Sequence, residues 1–230
     1  MATLDKHIRR YTSISAVIDI LRRRELPLLD PQNWDDRNDR YFMARYKEKK
    51  ALGGLYALCA ARCGETYHHW RVFTGTADGA CIEIKRAPLE KALSKIPGVS
   101  FAEMRYLLLN HIDALTTADL DSLPFVKRIG FAAEEEYRIV YETDDPQGAA
   151  YSLEFPLAWI SRIYLNPWLP DPLYESVKET LRALPDCAKL SIVKSRLIDS
   201  ARWKNAGDRV IGKGTPQKKR ALKVPSSSKS

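Results

Sequence analysis

Residues with chemically useful side chains are concentrated in one connector, the run YHHWRVF at residues 67–73. It lies between two apolar segments, 55–61 and 80–85, that have the composition of buried strands. Because strands hold the loop between them rigidly while its side chains stay free, we predict that this connector faces a functional site. His68 or His69 can supply an imidazole that moves protons near neutral pH.

The other side chains of the connector have two interpretations each. Arg71 is a candidate for binding an anion such as phosphate. Trp70 is a candidate for ligand binding, but for Trp70 and Phe73 packing in the core is the favoured interpretation. For His68 and His69, packing and hydrogen bonding within the fold is an equally good alternative to proton transfer.

A second informative stretch, residues 123–142, ends in a strand pattern. Side chains on a strand alternate between two faces, so Tyr137, Ile139 and Tyr141 belong together in the core. Glu134, Glu136 and Arg138 fall on the opposite face. That face is either a solvated row of ion pairs or the wall of a site. In the second interpretation a carboxylate acts as a base or accepts a ribose hydroxyl, and Arg138 orients it.

Two groups of residues raise the question of a metal. Asp35, Asp36 and Asp39 can ligate a hard cation, although their spacing is not that of an EF-hand and Asp also caps turns and helices. The sulfur and imidazole groups do not follow the common zinc spacings, and buried cysteine is frequent in apolar strands; they are Cys59, Cys63, His68, His69 and Cys81. We therefore predict no metal site.

The elements that must position these residues indicate an α/β or α+β fold. Apolar residues recur at helical spacing after Thr12 and Ser13, either of which can cap the helix, and again around residues 41–52 and 170–184. Strand-like segments alternate with these helices. We expect a single globular domain over residues 1–206, with a central mixed sheet flanked by helices.

The net charge of +8 is unevenly distributed. From Gly207 onward there are seven Lys or Arg residues and one Asp, which leaves a body of about +2. We expect a basic disordered tail over residues 207–230. No stretch of about 18 apolar residues occurs, so we predict no membrane association. Four scattered cysteines are typical of reduced thiols in a cytoplasmic protein.

The common nucleotide, serine-hydrolase and zinc-protease motifs are absent. Three segments of the sequence instead resemble the bacterial domain-of-unknown-function family 2971 over about residues 8–206. They are IRRYTSISAVIDILRRRELPLLDPQNWDDRND, CAARCGETYHHWRVFTGTADGACIEI and LPFVKRIGFAAEEEYRIVYE. Signature positions match at Tyr11, Thr12, Trp34, Asp36, Asn38, Asp39, Trp70, Gly79, Glu136 and Arg138. The resemblance implies a role in phage defence or mobile-element conflict, and it carries no settled activity.

Three functions remain open from the sequence. The first is a module that binds a nucleotide or nucleic acid through the aromatic connector, Arg71 and the basic tail.

The second function is an NAD-consuming enzyme, because the order of residue types is similar to that of ADP-ribosyltransferases. In it Glu136 is the catalytic carboxylate, Tyr11 or Arg9 lies near the cofactor, and His68 or His69 moves the proton. The third is a metal-dependent nuclease that uses Glu136 with the three aspartates of residues 35–39.

Overall fold

A computed structural model describes residues 6–146 and 148–212 of the chain. Its helices are α1 (Ile14–Arg23), α2 (Arg37–Lys49), α3 (Tyr67–Phe73), α4 (Arg86–Leu93), α5 (Leu109–Ile112), α6 (Asp171–Arg182) and α7 (Ala201–Val210). Its strands are β1 (His7–Ser13), β2 (Glu25–Leu29), β3 (Gly54–Ala61), β4 (Gly79–Lys85), β5 (Val99–Glu103), β6 (Arg105–Leu107), β7 (Val126–Arg128), β8 (Glu136–Thr143), β9 (Ala150–Glu154), β10 (Ile160–Leu165) and β11 (Ile192–Lys194).

A mixed sheet of nine strands forms the centre of residues 6–195 and confirms the predicted fold class. One part runs in the order β11-β10-β4-β1, and the other joins β5, β8, β3, β2 and β9. Most neighbours are antiparallel, but β10 and β11 are parallel. Strands β6 and β7 form a separate parallel pair.

The strand β3 is where the two parts of the sheet meet. It pairs with β8 along its whole length on one edge. On its other edge it meets β1 only at Ala61, opposite Arg9, and β2 only at Ala57, opposite Leu29. Between these two points the edge of β3 around Cys59 has no strand partner among the described residues. Polar groups can therefore approach the β3 backbone here.

Three apolar clusters hold this sheet. The largest takes side chains from both parts of it together with α1, α4 and α6, and includes Ile8, Leu21, Leu58, Ile82 and Ile139. A second cluster packs α2 on the opposite face of β3 and β8. The third surrounds Trp70 at α3. These helices are held mainly by burial of apolar surface, which favours folding by about 25 cal/mol per Å².

Several expectations about individual elements are confirmed and others are wrong. The predicted first helix is α1, and of its two candidate caps it is Ser13, not Thr12, whose hydroxyl accepts from the Ala16 amide. The prediction of a loop at residues 67–73 is wrong, because these residues form the helix α3. Thr66 caps this helix, and its aromatic residues pack in an apolar cluster.

The interpretation of the Glu136 face as solvated is also wrong. Glu136 and Arg138 are 4% and 0% exposed, because α2 and the segment after β6 cover that face.

The C-terminal residues form a unit of their own from Arg196 onward. The helix α7 of this unit continues through residues 207–210. It therefore crosses the boundary that we predicted between the domain (1–206) and the tail (207–230). The rest of the predicted disordered tail, 213–230, lies outside the described residues. Among residues 6–146 and 148–212, none of the helices combines the length and the apolar composition that a membrane span requires.

Candidate functional site

A cavity of about 360 Å³ lies along the free edge of β3. Strands β1 and β3 form part of its wall, and the segments 29–39, 69–73 and 127–136 complete it. Its lining includes seven of the eleven site residues predicted from the sequence: Arg9, Tyr11, Trp34, Asp36, Asp39, His69 and Glu136. The other four, His68, Trp70, Arg71 and Arg138, do not line it. The fold thus gathers residues that are as far apart in the chain as β1 and β8.

A buried ion network holds Glu136 at the wall of this cavity. Arg138 donates from Nε to Glu136 Oε1 over 2.7 Å. The same guanidinium binds Asp39 of α2 through two bonds of 2.9 and 2.6 Å, and it also donates to the Pro124 carbonyl. Arg138 therefore orients Glu136, as predicted, but its donors face protein groups rather than the cavity.

Lys127 extends the network to a second glutamate. Its Nζ lies 2.7 Å from Glu134 Oε2 and 3.2 Å from Glu136 Oε2. Together with Asp39 and Arg138, the network has three carboxylates and two cations. With every group ionised it carries a net charge of −1, and its carboxylates Glu134 and Glu136 face the cavity.

The two glutamates have opposite pKa shifts. Burial raises the pKa of Glu136, but the charges of Arg138 and Lys127 outweigh it and bring that pKa down to about 2. Burial raises the pKa of Glu134 and remains dominant over the attraction of Lys127. In active sites, two carboxyl groups with different pKa values typically have different roles: one stays charged and the other transfers a proton.

The two neighbouring arginines of β1 have different partners. Arg9 donates to Glu83 of β4 and to the Cys63 carbonyl, so its charge is compensated inside the protein. Arg10 donates from Nη1 to the Cys59 carbonyl on the free edge of β3. Among the described residues Arg10 makes no ion pair, and it lines the cavity. Arg10, rather than the predicted Arg9, is the cation that an anionic ligand can reach.

Tyr11, His69 and Trp70 pack together between β1 and α3. The Tyr11 ring stacks on His69 and meets Trp70 edge-on, each with 5.2 Å between ring centroids. Trp70 is buried and donates its Nε1–H to Glu65, which fits the core interpretation. The Tyr11 hydroxyl is buried without a hydrogen-bond partner among the described residues.

The imidazole of His69 is engaged on both sides. A carbonyl can only accept, so the 2.9 Å contact to the Glu134 carbonyl makes Nε2 the donor, and Nδ1 then accepts from the Thr66 hydroxyl. Burial lowers the pKa of His69, which keeps the ring neutral. This arrangement holds α3 against the segment that carries Glu134, and it gives His69 a positioning role.

His68 and Arg71 lie on the exposed side of α3. The His68 ring contacts Phe73 edge-on. Arg71 lies over the Trp168 ring, 3.8 Å from its centroid, and donates from Nε to the Tyr67 hydroxyl. These three residues, Tyr67, Arg71 and Trp168, form an aromatic and cationic surface that is separate from the cavity lining.

The aspartates of residues 35–39 do not converge as a nuclease site requires. Asp36 caps α2 by accepting from the Asn38 and Asp39 amides, and both oxygens of Asp39 bind Arg138. Within residues 6–146 and 148–212 no three His, Cys, Asp or Glu side chains form a group that could hold a metal. Burial also raises the pKa of the Cys59 and Cys81 thiols, which disfavours the thiolate that zinc binds.

Aromatic rings form much of the remaining wall. Trp34 lies over the Arg138 guanidinium, 4.6 Å from ring centroid to charge, and Phe131 lies near Lys127. Phe73 is 41% exposed and lines the cavity, so its expected place in the core is wrong. Arg10, Lys127 and Phe131 were missed in the sequence, where no local spacing distinguishes them from other surface residues.

No protein-family model and no curated protein sequence matches the chain. Three solved structures of DarT from Thermus sp. 2.9 are similar to it in fold. The complex with NAD+ has 16% sequence identity and a TM-score of 0.46, over 84% of this chain and 96% of that chain. The complex with ADP-ribosylated single-stranded DNA has 14% identity and a TM-score of 0.44, over 84% and 95%. The complex with carba-NAD+ has 16% identity and a TM-score of 0.43, over 84% and 96%. At this level the likeness concerns the fold alone.

Proposed function

We propose that the cavity binds NAD+ and that the protein transfers its ADP-ribose group. The observation that carries this proposal is the placement of two opposite charges on one cavity wall: Arg10, which makes no ion pair among the described residues, and Glu136, which is fixed and ionised. A guanidinium suits a phosphate, and a fixed carboxylate suits a ribose hydroxyl and a developing positive charge.

The other walls suit the rest of a dinucleotide. Trp34, Phe73 and Phe131 offer aromatic faces and edges for a planar base. A cavity of about 360 Å³ falls within the usual range for small-molecule sites, which is about 300–1,000 Å³. The network's net charge of −1 favours the cationic nicotinamide ring of NAD+ over the neutral ring of NADH.

The proposed reaction breaks the bond between the ribose C1′ and the nicotinamide nitrogen. The bonding electrons leave with nicotinamide, and positive charge develops on C1′ and the ring oxygen of the ribose. Glu136 is ionised over the whole physiological pH range and stabilises that charge without taking a proton. A nucleophile then bonds to C1′ and releases its proton.

Glu134 is the group placed to receive that proton. It lines the same cavity, and its pKa is raised by burial, which makes it a better proton acceptor than Glu136. His69 is already engaged at both nitrogens, so in this mechanism it positions α3 rather than moving the proton.

Nicotinamide release from NAD+ by the purified protein tests the proposal. We expect Glu136→Gln to lower the rate by a factor of about 100 or more, since it removes the fixed charge. Glu135→Gln is the matched control, because Glu135 is the exposed neighbour and the change in charge is identical. Equal rates in the two variants, with NAD+ bound by both, would overturn the role of Glu136.

A second candidate function is a binding module without chemistry. The observation that favours it is the surface of Tyr67, Arg71 and Trp168 on the outer side of α3, which offers rings and a cation outside the cavity. Binding of nucleotide or nucleic acid without nicotinamide release under any condition would support this function instead.

We also propose that the chain belongs to the domain-of-unknown-function family 2971 and that it acts in phage defence. A plaque assay on bacteria that express the protein tests the role in defence, with Glu136→Gln as the comparison. Protection that the substitution removes would tie defence to the cavity.

A further inference from the structure

Eight charged side chains line the cavity, and five of them already have a partner of opposite charge. These five belong to the ion network or to the pair of Arg9 with Glu83. The other three, Arg10, Asp35 and Asp36, make no ion pair among the described residues. The charges that a ligand can meet in the cavity are therefore one guanidinium and two carboxylates.

The two carboxylates differ in what they contact. Asp36 accepts from the Asn38 and Asp39 amides at the positive N-terminus of α2, which offsets part of its charge. Asp35 makes no hydrogen bond and no ion pair within residues 6–146 and 148–212. Asp35 is also exposed, whereas Glu136 on the same cavity is 4% exposed. Asp35 thus lies where the cavity opens to solvent, and Glu136 lies at its inner wall.

These charges match the polar groups of NAD+. The dinucleotide has two ribose rings with a diphosphate between them. With the nicotinamide ribose at Glu136 and the diphosphate at Arg10, the adenosine ribose lies toward the solvent end of the cavity, where Asp35 is. A carboxylate accepts well from the hydroxyls of a ribose, as the acidic residue of dinucleotide-binding folds does.

NADP+ differs from NAD+ at the adenosine ribose alone. Its 2′-phosphate replaces a hydroxyl with a group that carries about two negative charges. Among the described residues, the cavity has no second cation without an ion pair that could receive this phosphate. Like charges that are brought together cost binding free energy, and a site can reject a close relative of its ligand in this way.

We propose that Asp35 accepts hydrogen bonds from the adenosine ribose hydroxyls and makes the cavity selective for NAD+ over NADP+. The inference rests on the proposed function, since it assigns a further residue to the same ligand. Asp35 acts in two ways: it binds the 2′-hydroxyl of NAD+, and it repels the 2′-phosphate of NADP+.

Asp35→Asn in the full chain tests this proposal, with Asp113→Asn as the matched control. Each replaces an exposed aspartate that makes no ion pair among the described residues by its neutral isostere, but only Asp35 lines the cavity. Isothermal titration calorimetry measures the binding of NAD+ and of NADP+. We expect the wild type to prefer NAD+ by about 30-fold or more, and Asp35→Asn to reduce this preference by about tenfold. Asp113→Asn should change the preference by less than about twofold, because solvent and salt screen a distant charge.

Asp35→Arg supplies the opposite charge and should reverse the preference, because a guanidinium binds the 2′-phosphate. Asp35 has no partner to lose, so we expect urea unfolding to give the same stability for both Asp35 variants and the wild type. NAD+ binding with the same ratio of the two dissociation constants in every variant would overturn the role of Asp35 and leave the NAD+ site standing. Equal affinity of the wild type for both dinucleotides would also overturn it. If the wild type binds neither dinucleotide, the proposed function fails together with this inference.

Discussion

At the scale of single residues, what a charged side chain does in this protein depends on whether its charge is already compensated. Arg9 and Arg10 are neighbours in β1, yet the charge of Arg9 is neutralised by the buried Glu83, while Arg10 donates only to the Cys59 carbonyl. Removing one partner of a buried ion pair leaves an uncompensated charge. When a cation on a cavity wall makes no ion pair, its removal takes away a group that can bind a ligand. The two positions should therefore respond differently to the same substitution.

Glutamine at each of the two positions separates binding from stability. We expect Arg9→Gln to lower the free energy of unfolding by about 3–5 kcal/mol because Glu83 remains buried. Arg10→Gln should leave stability nearly unchanged but weaken NAD+ binding roughly tenfold or more. Urea unfolding and isothermal titration calorimetry measure the two effects. Normal NAD+ affinity in Arg10→Gln would contradict the phosphate role.

At the scale of elements, α3 connects the core to the cavity. Its cap residue Thr66 also binds the His69 imidazole, and that ring in turn binds the carbonyl of Glu134. On one side of the helix Trp70 is buried, and on another Phe73 reaches the cavity. A helix of seven residues is too short to be stable alone, so its position is set by these contacts.

Alanine substitutions in α3 should distinguish its two sides. Trp70→Ala removes a fully buried ring, and we expect a loss of about 3–5 kcal/mol in the free energy of unfolding. Phe73→Ala removes a ring that is 41% exposed and should lower stability much less, while it weakens ligand binding at the cavity. Chemical unfolding and NAD+ titration of both variants check this. A large stability loss in Phe73→Ala with unchanged NAD+ binding would place that ring in the core after all.

At the scale of the whole molecule, the ion network links elements that are distant in the chain. Asp39 begins the network in α2, Arg138 and Glu136 continue it in β8, and Lys127 and Glu134 complete it. Because these groups are buried together, protonation of one carboxylate affects the packing of α2 against β8. Acid unfolding should therefore be cooperative over residues 6–195.

The depressed pKa of Glu136 predicts how stability depends on pH. Its folded pKa is about 2 and its ordinary value is 4.5, so its ion pairs stabilise the fold fully above about pH 4.5. That stabilisation, on the order of 3 kcal/mol, is lost as the pH falls from 4.5 toward 2. The pKa of Glu134 is raised, so this group has the opposite effect on stability: its contribution is lost as the pH rises through its titration.

Urea unfolding of the wild type and Glu136→Gln at pH 2 to 7 measures this dependence. The wild type should lose stability steeply on acidification, and the variant should show a shallower slope over the same range. Parallel slopes would mean that Glu136 is not the group whose pKa is depressed.

The sequence by itself determined the class of fold, α1 with a hydroxyl cap at Thr12 or Ser13, and the two faces of β8. These are properties of periodicity and of local hydrogen bonding, which act within a few residues. Seven of the eleven positions chosen from the sequence line one cavity, and their role in a site stays a prediction. The sequence also placed Trp70 in the core because large aromatic side chains gain most from burial.

Only the tertiary structure decided which of those residues can reach a ligand. The pairing of Arg9 with Glu83 joins residues 74 positions apart, and that of Arg138 with Asp39 spans 99 positions. No local pattern encodes such contacts, so the sequence could not show that Arg9 is compensated and Arg10 is not. The same holds for Lys127 in β7 and Phe131 in the segment after it, which line the cavity although they are far in the chain from β1 and β3. The charge on a side chain is a property of the sequence, but its availability is a property of the fold.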